Sequence, residues 1–335
     1  MTNLETRPAE VLCEAEAAGG PDGIEIIGPR DVPLGGPRAM TVRRTLPSRE
    51  RSLIGAWCFL DHYGPDDVSV TGGMKVAPHP HTGLQTVSWL FTGEIEHRDS
   101  AGNQAMVRPG EVNLMTGGFG ISHSEISTDL TPVLHGAQLW VALPDAARDT
   151  TPGFQHYEPE PVTGEGWSAR VFLGSLLGST SPVTTFTPLL GVEVSLDAGT
   201  TLAIPVDRTF EHGILIDAGA VTVDGVPVGK DALAYLPAGA TTRTVTATES
   251  TRLLFLGGPP FGESIVMWWN FVGRTHEEIV GYRDAWQAQI TGASGEVVAD
   301  SQDVADGRFG RVVGDHLPPI PAPPLPNNVR LRSRG

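Results

Sequence analysis

The sequence predicts an all-β protein made of two similar barrel-like blocks in tandem, with one short carboxy-terminal helix. Three observations lead there. Short runs rich in Val, Ile, Leu, Trp and Thr alternate with Gly or Pro at short, regular intervals. The 41 glycines and 28 prolines suit many strands joined by turns and suit a helical bundle poorly. The pattern of the first block recurs in the second, as an internal duplication would give.

Taken in order, residues 1–22 are acidic and small and lack an apolar period, so a mobile tail is expected. Residues 23–150 are assigned to the first block. There "LQTVSWLFTGEIEHRD" splits into two β-rich runs at Thr92-Gly93. "NQAMVRPGEVNLMTGG" turns at Pro109-Gly110, and "VLHGAQLWVALP" ends at Pro144. Residues 151–290 form the second block, entered through a connection from Pro152-Gly153 to Gly166. It opens on "GVEVSLDAGTTLAIPV", with a turn at Ala198-Gly199.

The helix is read from "THEEIVGYRDAWQAQ", where Ile279, Tyr282 and Trp286 recur at spacings of three and four. Thr275 can cap it, and Glu277 and Glu278 suit its positive end. It is expected to pack on a barrel wall together with Trp268, Trp269 and Phe271. Residues 291–335, with "PPIPAPPLPNN" near their end, are expected to be extended.

Charge and cysteine usage exclude several classes. A net charge of -16 is repelled by nucleic-acid phosphates and by anionic lipid, so neither partner is expected. Cys13 and Cys58 are too few for a disulfide framework. No basic-then-apolar leader and no long apolar run is present, so a soluble, cytoplasmic protein is expected.

Two segments carry chemistry: "HPHTGLQTVSWL" and, about forty residues on, "PGEVNLMTGGFGISHSE". Alternate side chains of a strand share a face, so His79 pairs with His81 and His123 with Glu125. Neighbouring strands would bring all four to one point. Imidazole suits iron, nickel, copper or zinc, and carboxylate adds an anionic oxygen. Two positions of an octahedral ion would stay open. Pro80 cannot donate to a ladder, so its strand is expected at an edge or bulged. Gly117, Gly118 and Gly120 allow a tight turn before the second pair.

Other residues are read more plainly. His62 is expected as a hydrogen-bonded structural residue, and His97, among charged neighbours, as exposed. His212 has no partner two residues on and reads as structural or surface-lying. Ser124 should point away from the ligands, and Asp231 and Arg243 form no recognisable set.

These segments resemble the pirin family of the cupin superfamily. The likeness rests on "VRRTLPSRERSLIGAWCFLDHYGP", "HPHTGLQTVSWLFTGEIEHRDSAGN", "RPGEVNLMTGGFGISHSE" and "LHGAQLWVALP", and runs from about Ile24 to Trp286. It implies two double-stranded β-helix (cupin, or jelly-roll) barrels, with one Fe(II) in the first, held by His79, His81, His123 and Glu125. Other divalent transition metals could take its place. The second barrel is expected to hold no metal. Gln85 stands where Glu is common and Asn113 where Gln is usual, and Gln85 is expected to alter the charge near the metal.

The resemblance further implies quercetin 2,3-dioxygenase-like ring cleavage of a flavonol or related enol, with O₂ consumed, carbon monoxide released, and Glu125 as catalytic proton acceptor. The alternative it offers is a metal- or redox-dependent regulator acting through contacts with a protein partner. The chain is expected to be a monomer.

Overall fold

The computed structural model describes residues 5, 8, 11–13, 23–34, 40–49 and 51–326. Two barrels of one plan follow each other along these residues. The first pairs a seven-stranded sheet with a four-stranded one. The larger runs in the order Gly153–Tyr157, Val112–Thr116, Leu84–Thr92, Val133–Ala142, Trp57–Asp67, Met40–Leu46 and Arg30–Leu34. The smaller runs Lys75–His81, Ile121–Ser127, Ile95–Asp99 and Gln104–Val107.

The second barrel repeats both numbers. Its seven strands are Val162–Gly164, Trp167–Leu173, Leu190–Leu196, Thr251–Gly258, Glu211–Ala218, Leu233–Leu236 and Glu25–Ile27. Its four are Thr201–Pro205, Thr242–Ala247, Val221–Val223 and Val226–Val228. The all-β, two-barrel expectation holds.

Short strands cross between the barrels. Glu25–Ile27 completes the second barrel by pairing with Leu233–Leu236, and Gly153–Tyr157 completes the first by pairing with Val112–Thr116. Of the expected amino-terminal tail, Val11–Cys13 is described, and it pairs with Ile265–Met267. Most of that stretch lies outside the described residues, as do residues 327–335 at the other end.

Alternation along each strand divides the core. On Leu84–Thr92, Val87, Trp89 and Phe91 belong to a cluster that also takes Phe172, Leu215, Leu254 and Leu256 of the second barrel. Leu90, on the opposite face, joins Val42, Tyr63, Val76 and Ile95 inside the first barrel. The two large sheets therefore share one apolar layer. Each fully buried Leu or Phe contributes roughly 1.5–3 kcal/mol, so separating the barrels would cost many times one contact. Trp89 stacks on Phe172, centroids 4.5 Å apart, and donates from Nε1 to Glu193 Oε2 at 2.7 Å.

The helix spans His276–Ile290, and the Thr275 hydroxyl accepts from Glu278 N, as expected of the cap. Its buried face, Ile279, Tyr282, Trp286 and Ile290, packs on Trp268, Trp269 and Phe271. Residues 291–326 contain no helix beyond the short turn Ser301–Asp303. They strap the small sheet of the first barrel: Ser100 Oγ donates to Phe309 O at 2.6 Å, and Ile320 N to Pro78 O at 2.8 Å. No helix among the described residues is long and apolar enough to cross a membrane.

Candidate metal centre

Lys75–His81 and Ile121–Ser127 pair antiparallel, and His123 lies directly opposite His79. Lys75–His81 is the edge strand of its sheet, so Pro80 leaves no ladder bond unmade. The turn before the second strand needs its glycines. Gly118 has φ 52°, and a Cβ there would strike Thr150 O. A Cβ on Gly117 would lie 3.4 Å from that of His81, so the backbone passes close behind this side chain.

His79, His81 and His123 are fully buried, and one ring nitrogen of each lies within 4.8 Å of those of the others. Each ring is held from behind. His79 Nδ1 donates to Ala77 O at 2.9 Å and His81 Nδ1 to Asn270 O at 3.1 Å. Behind His123, Nδ1 lies 3.4 Å from His97 Nδ1, while His97 Nε2 lies 3.3 Å from Asp99 Oδ2. The Asp99 carboxylate can only accept, so His97 protonates Nε2, and its bare Nδ1 accepts from His123. All three imidazoles of the triad therefore carry their proton on Nδ1 and turn a bare Nε2 to the interior.

Those lone pairs crowd one another. His81 Nε2 and His123 Nε2 are 3.0 Å apart, and His79 Nε2 has no hydrogen-bond partner. Burial keeps the rings neutral: it pushes His79 down to about 4 and, with the neighbouring imidazoles, holds His81 and His123 well below the usual histidine range. Neutral imidazoles with converging lone pairs are the donor set a divalent transition metal takes.

Glu125 sits to one side of this triad. The pairing with Lys75–His81 bulges between His123 and Glu125, which faces Val76. Its carboxylate groups within 4.8 Å with His97 and His123. Ser88 Oγ lies 3.2 Å from Glu125 Oε1 and 2.9 Å from Gln138 Oε1. Tyr63, buried in the same barrel, has its hydroxyl held well above the usual tyrosine range by burial and by the Glu125 charge.

Several sequence expectations change here. His97 is 3% exposed, not on the surface: Ile95, His97 and Asp99 point inward while Glu96 and Arg98 point out. Gln85 points away from the barrel interior. It shares a strand face with Val87 and Trp89, opposite Ser88, and donates to Thr116 Oγ1 at 3.0 Å. Asn113 accepts from His156 Nδ1 at 2.6 Å. His62 is hydrogen-bonded, as expected, to Asp217 Oδ1 at 2.7 Å across the junction of the barrels. There Asp231, read as isolated, lies 3.1 Å from both Arg43 Nε and His62 Nδ1. His212 is buried in the second barrel against Phe255.

Comparison with known proteins follows the same division. Residues 39–141 match the Pirin family and residues 191–292 the Pirin C-terminal cupin domain. The chain is 42% identical to a Pseudomonas aeruginosa protein named "Putative quercetin 2,3-dioxygenase PA1205", over 89% of each. A pirin-like protein of Caulobacter vibrioides is 37% identical over 74% of this chain and 88% of its own. The crystal structure of a quercetin 2,3-dioxygenase from Acinetobacter baumannii superposes with a TM-score of 0.82 at 36% identity, covering 92% of this chain and 98% of that one. With both barrels matched in order, and most of each relative's length covered, the chain belongs to the pirin family of two-barrel cupins.

Proposed function

We propose that this protein is a dioxygenase of flavonol or related enol substrates, with one Fe(II) held by His79, His81, His123 and Glu125. The observation that supports it most directly is the set of three buried imidazoles, each fixed through Nδ1, beside a buried carboxylate. The names of the relatives supply the reaction class. A bound metal would supply a Lewis acid that makes a coordinated hydroxyl more acidic. Copper and zinc compete for the same donors by affinity, so the ion found in purified protein depends on how it is prepared.

The chain's own groups would do the rest. Glu125, which accepts from the Ser88 hydroxyl, would hold the proton that leaves the substrate hydroxyl. Tyr63 Oη and Gln138 Nε2 are buried and lack protein partners, so each offers a hydrogen bond to substrate oxygen. The apolar walls from Val42, Val76 and Leu90 keep bulk water away. The same reading takes O₂ as co-substrate and sets the protein in the cytoplasm as a monomer.

The test is incubation of anaerobically iron-loaded protein with quercetin, followed spectrally before and after oxygen is admitted. Bleaching that requires both iron and oxygen, with carbon monoxide released, is the expected result. Absence of bleaching beside an active control enzyme would exclude quercetin as substrate.

A further inference from the structure

A row of polar residues crosses the inner face of the first barrel's large sheet. Ser88 stands opposite Gln138, Gln138 opposite Asp61, Asp61 opposite Arg44, and Arg44 opposite Arg30. Residues directly opposite in an antiparallel ladder share a face. The Ser88 hydroxyl meets Glu125 of the small sheet, so this face is the barrel interior. The row therefore runs from the candidate metal centre to Arg30–Leu34, the edge strand of its sheet. Lys75–His81 is the edge of the small sheet, and Val32 and Val76, one from each edge, lie in one apolar cluster. Among the described residues no ladder joins these two edges, so the row ends at a seam in the barrel wall.

At that end two arginines hold one carboxylate. Arg44 is 4% exposed, and its Nε and Nη2 donate to the two oxygens of Asp61 at 2.7 and 2.8 Å. Its Nη1 is left to donate to Glu5 Oε2 at 3.3 Å, and Arg30 Nη1 donates to Glu5 Oε1 at 3.0 Å. Glu5 belongs to neither sheet. It comes from the amino-terminal stretch, which Val11–Cys13 ties to Ile265–Met267. Asp61 already matches the charge of Arg44, so without Glu5 the place would keep the positive charge of Arg30. One wall joins this place to the imidazoles: the Arg44 guanidinium lies over Phe59, Phe59 stacks on Trp140, and Trp140 stands edge-on to His81. Between the two ends Gln138 Nε2 is buried without a hydrogen-bond partner, as an atom awaiting a ligand's acceptor would be.

We propose that the first barrel recognises its ligand by a carboxylate held between Arg30 and Arg44, and that Glu5 is a built-in occupant which the ligand displaces. The ligand enters at the seam between the two edge strands and lies along the polar row. Charge-assisted bonds from two guanidinium groups favour a carboxylate over a neutral amide of the same shape. Three strand spacings separate Ser88 from Arg44, about 14 Å, so a ligand that reaches both ends is longer than one ring. On the reaction proposed above, the substrate class is then an elongated enol or phenol that carries a carboxylate at the end away from the imidazoles. The carboxylate place itself rests on the arginines alone.

Benzoate and benzamide, alike in shape and unlike in charge, probe the place by calorimetry on the metal-loaded full chain. Glu5→Gln removes the built-in anion. It should bind benzoate saturably, once per chain, at least about tenfold more tightly than the wild type does and than it binds benzamide itself. Adding Arg30→Met to Glu5→Gln should weaken benzoate about tenfold or more. The Arg30 side chain is 57% exposed, so this change keeps the buried Arg44–Asp61 pair and tests the site even if Arg44→Met does not fold. Adding His81→Ala to Glu5→Gln should leave benzoate binding unchanged, which separates this place from a carboxylate taken up by the metal. Equal benzoate affinity in wild type and Glu5→Gln, benzamide bound as tightly as benzoate, binding untouched by Arg30→Met, or binding lost with His81→Ala would each overturn the proposal. Quercetin left unbleached beside this pattern of benzoate binding would count against the reaction and leave the carboxylate place standing.

Discussion

His81 Nε2 and His123 Nε2 face each other at 3.0 Å across two adjacent strands, and the Nδ1 atom of each is engaged behind the ring. Two bare nitrogens at that distance repel unless a cation joins them. Metal content should therefore fall at least about tenfold in His81→Ala or His123→Ala and stay unchanged in His212→Ala. Elemental analysis of anaerobically purified protein measures this. Metal kept by the first two variants and lost by the third would place the ion elsewhere.

His97 is expected to act through His123. Its Nε2 is engaged by Asp99, which leaves Nδ1 to accept from His123. His97→Ala should weaken metal binding about 10- to 100-fold with little loss of fold. His97→Gln should recover much of it, since its amide can donate to Asp99 and accept from His123. Equal affinity in Ala and Gln variants, read by chelator competition, would deny His97 this positioning role.

Much of this was legible because alternation is a local signal. HPH and HSE each put two candidate ligands on one strand, and their strands do pair, with a bulge between His123 and Glu125. The same rule, followed through "IEHRD", finds His97 inside: its charged neighbours point the other way, so their charge says nothing about it. Gln85 is the converse case, since three residues from Ser88 is the opposite face. The junction was not legible. Asp217 meets His62 across 155 positions of chain, and nothing local pairs them. The exchanged strand Glu25–Ile27 has three residues, too few to show a period.

The helix contributes to stability through one side chain above the rest. Trp286 is 1% exposed, stands edge-on to Phe309 and donates from Nε1 to Ile320 O at 2.8 Å. Trp286→Ala should cost about 3–5 kcal/mol in urea unfolding. Trp286→Phe should cost less, since the ring contact survives and only Ile320 O loses its donor. Equal losses would mean that the hydrogen bond, and not the packing, holds the strap.

Asp217 gives the fold an acid limit. Its Oδ1 lies 2.7 Å from His62 Nε2 and 2.5 Å from His135 Nε2, and Oδ2 accepts from Arg252 Nε at 2.6 Å. Burial alone would raise its carboxyl, but these partners hold it well below the usual carboxylate range. A carboxyl that titrates lower in the folded than in the unfolded chain stabilises fully above the unfolded value, near pH 4, and loses that contribution as pH falls further. The urea midpoint of the wild type should therefore drop as pH is lowered below about 4. Asp217→Asn should be less stable by about 3–5 kcal/mol at pH 7, because it removes the charge that Arg252 and two imidazoles share and turns one of the two acceptor oxygens into an N–H donor facing them. It should also lack the part of the acid slope that Asp217 supplies, so the two stability curves converge as pH falls. Curves that stay parallel through that range would show that the barrels are held together without this carboxylate.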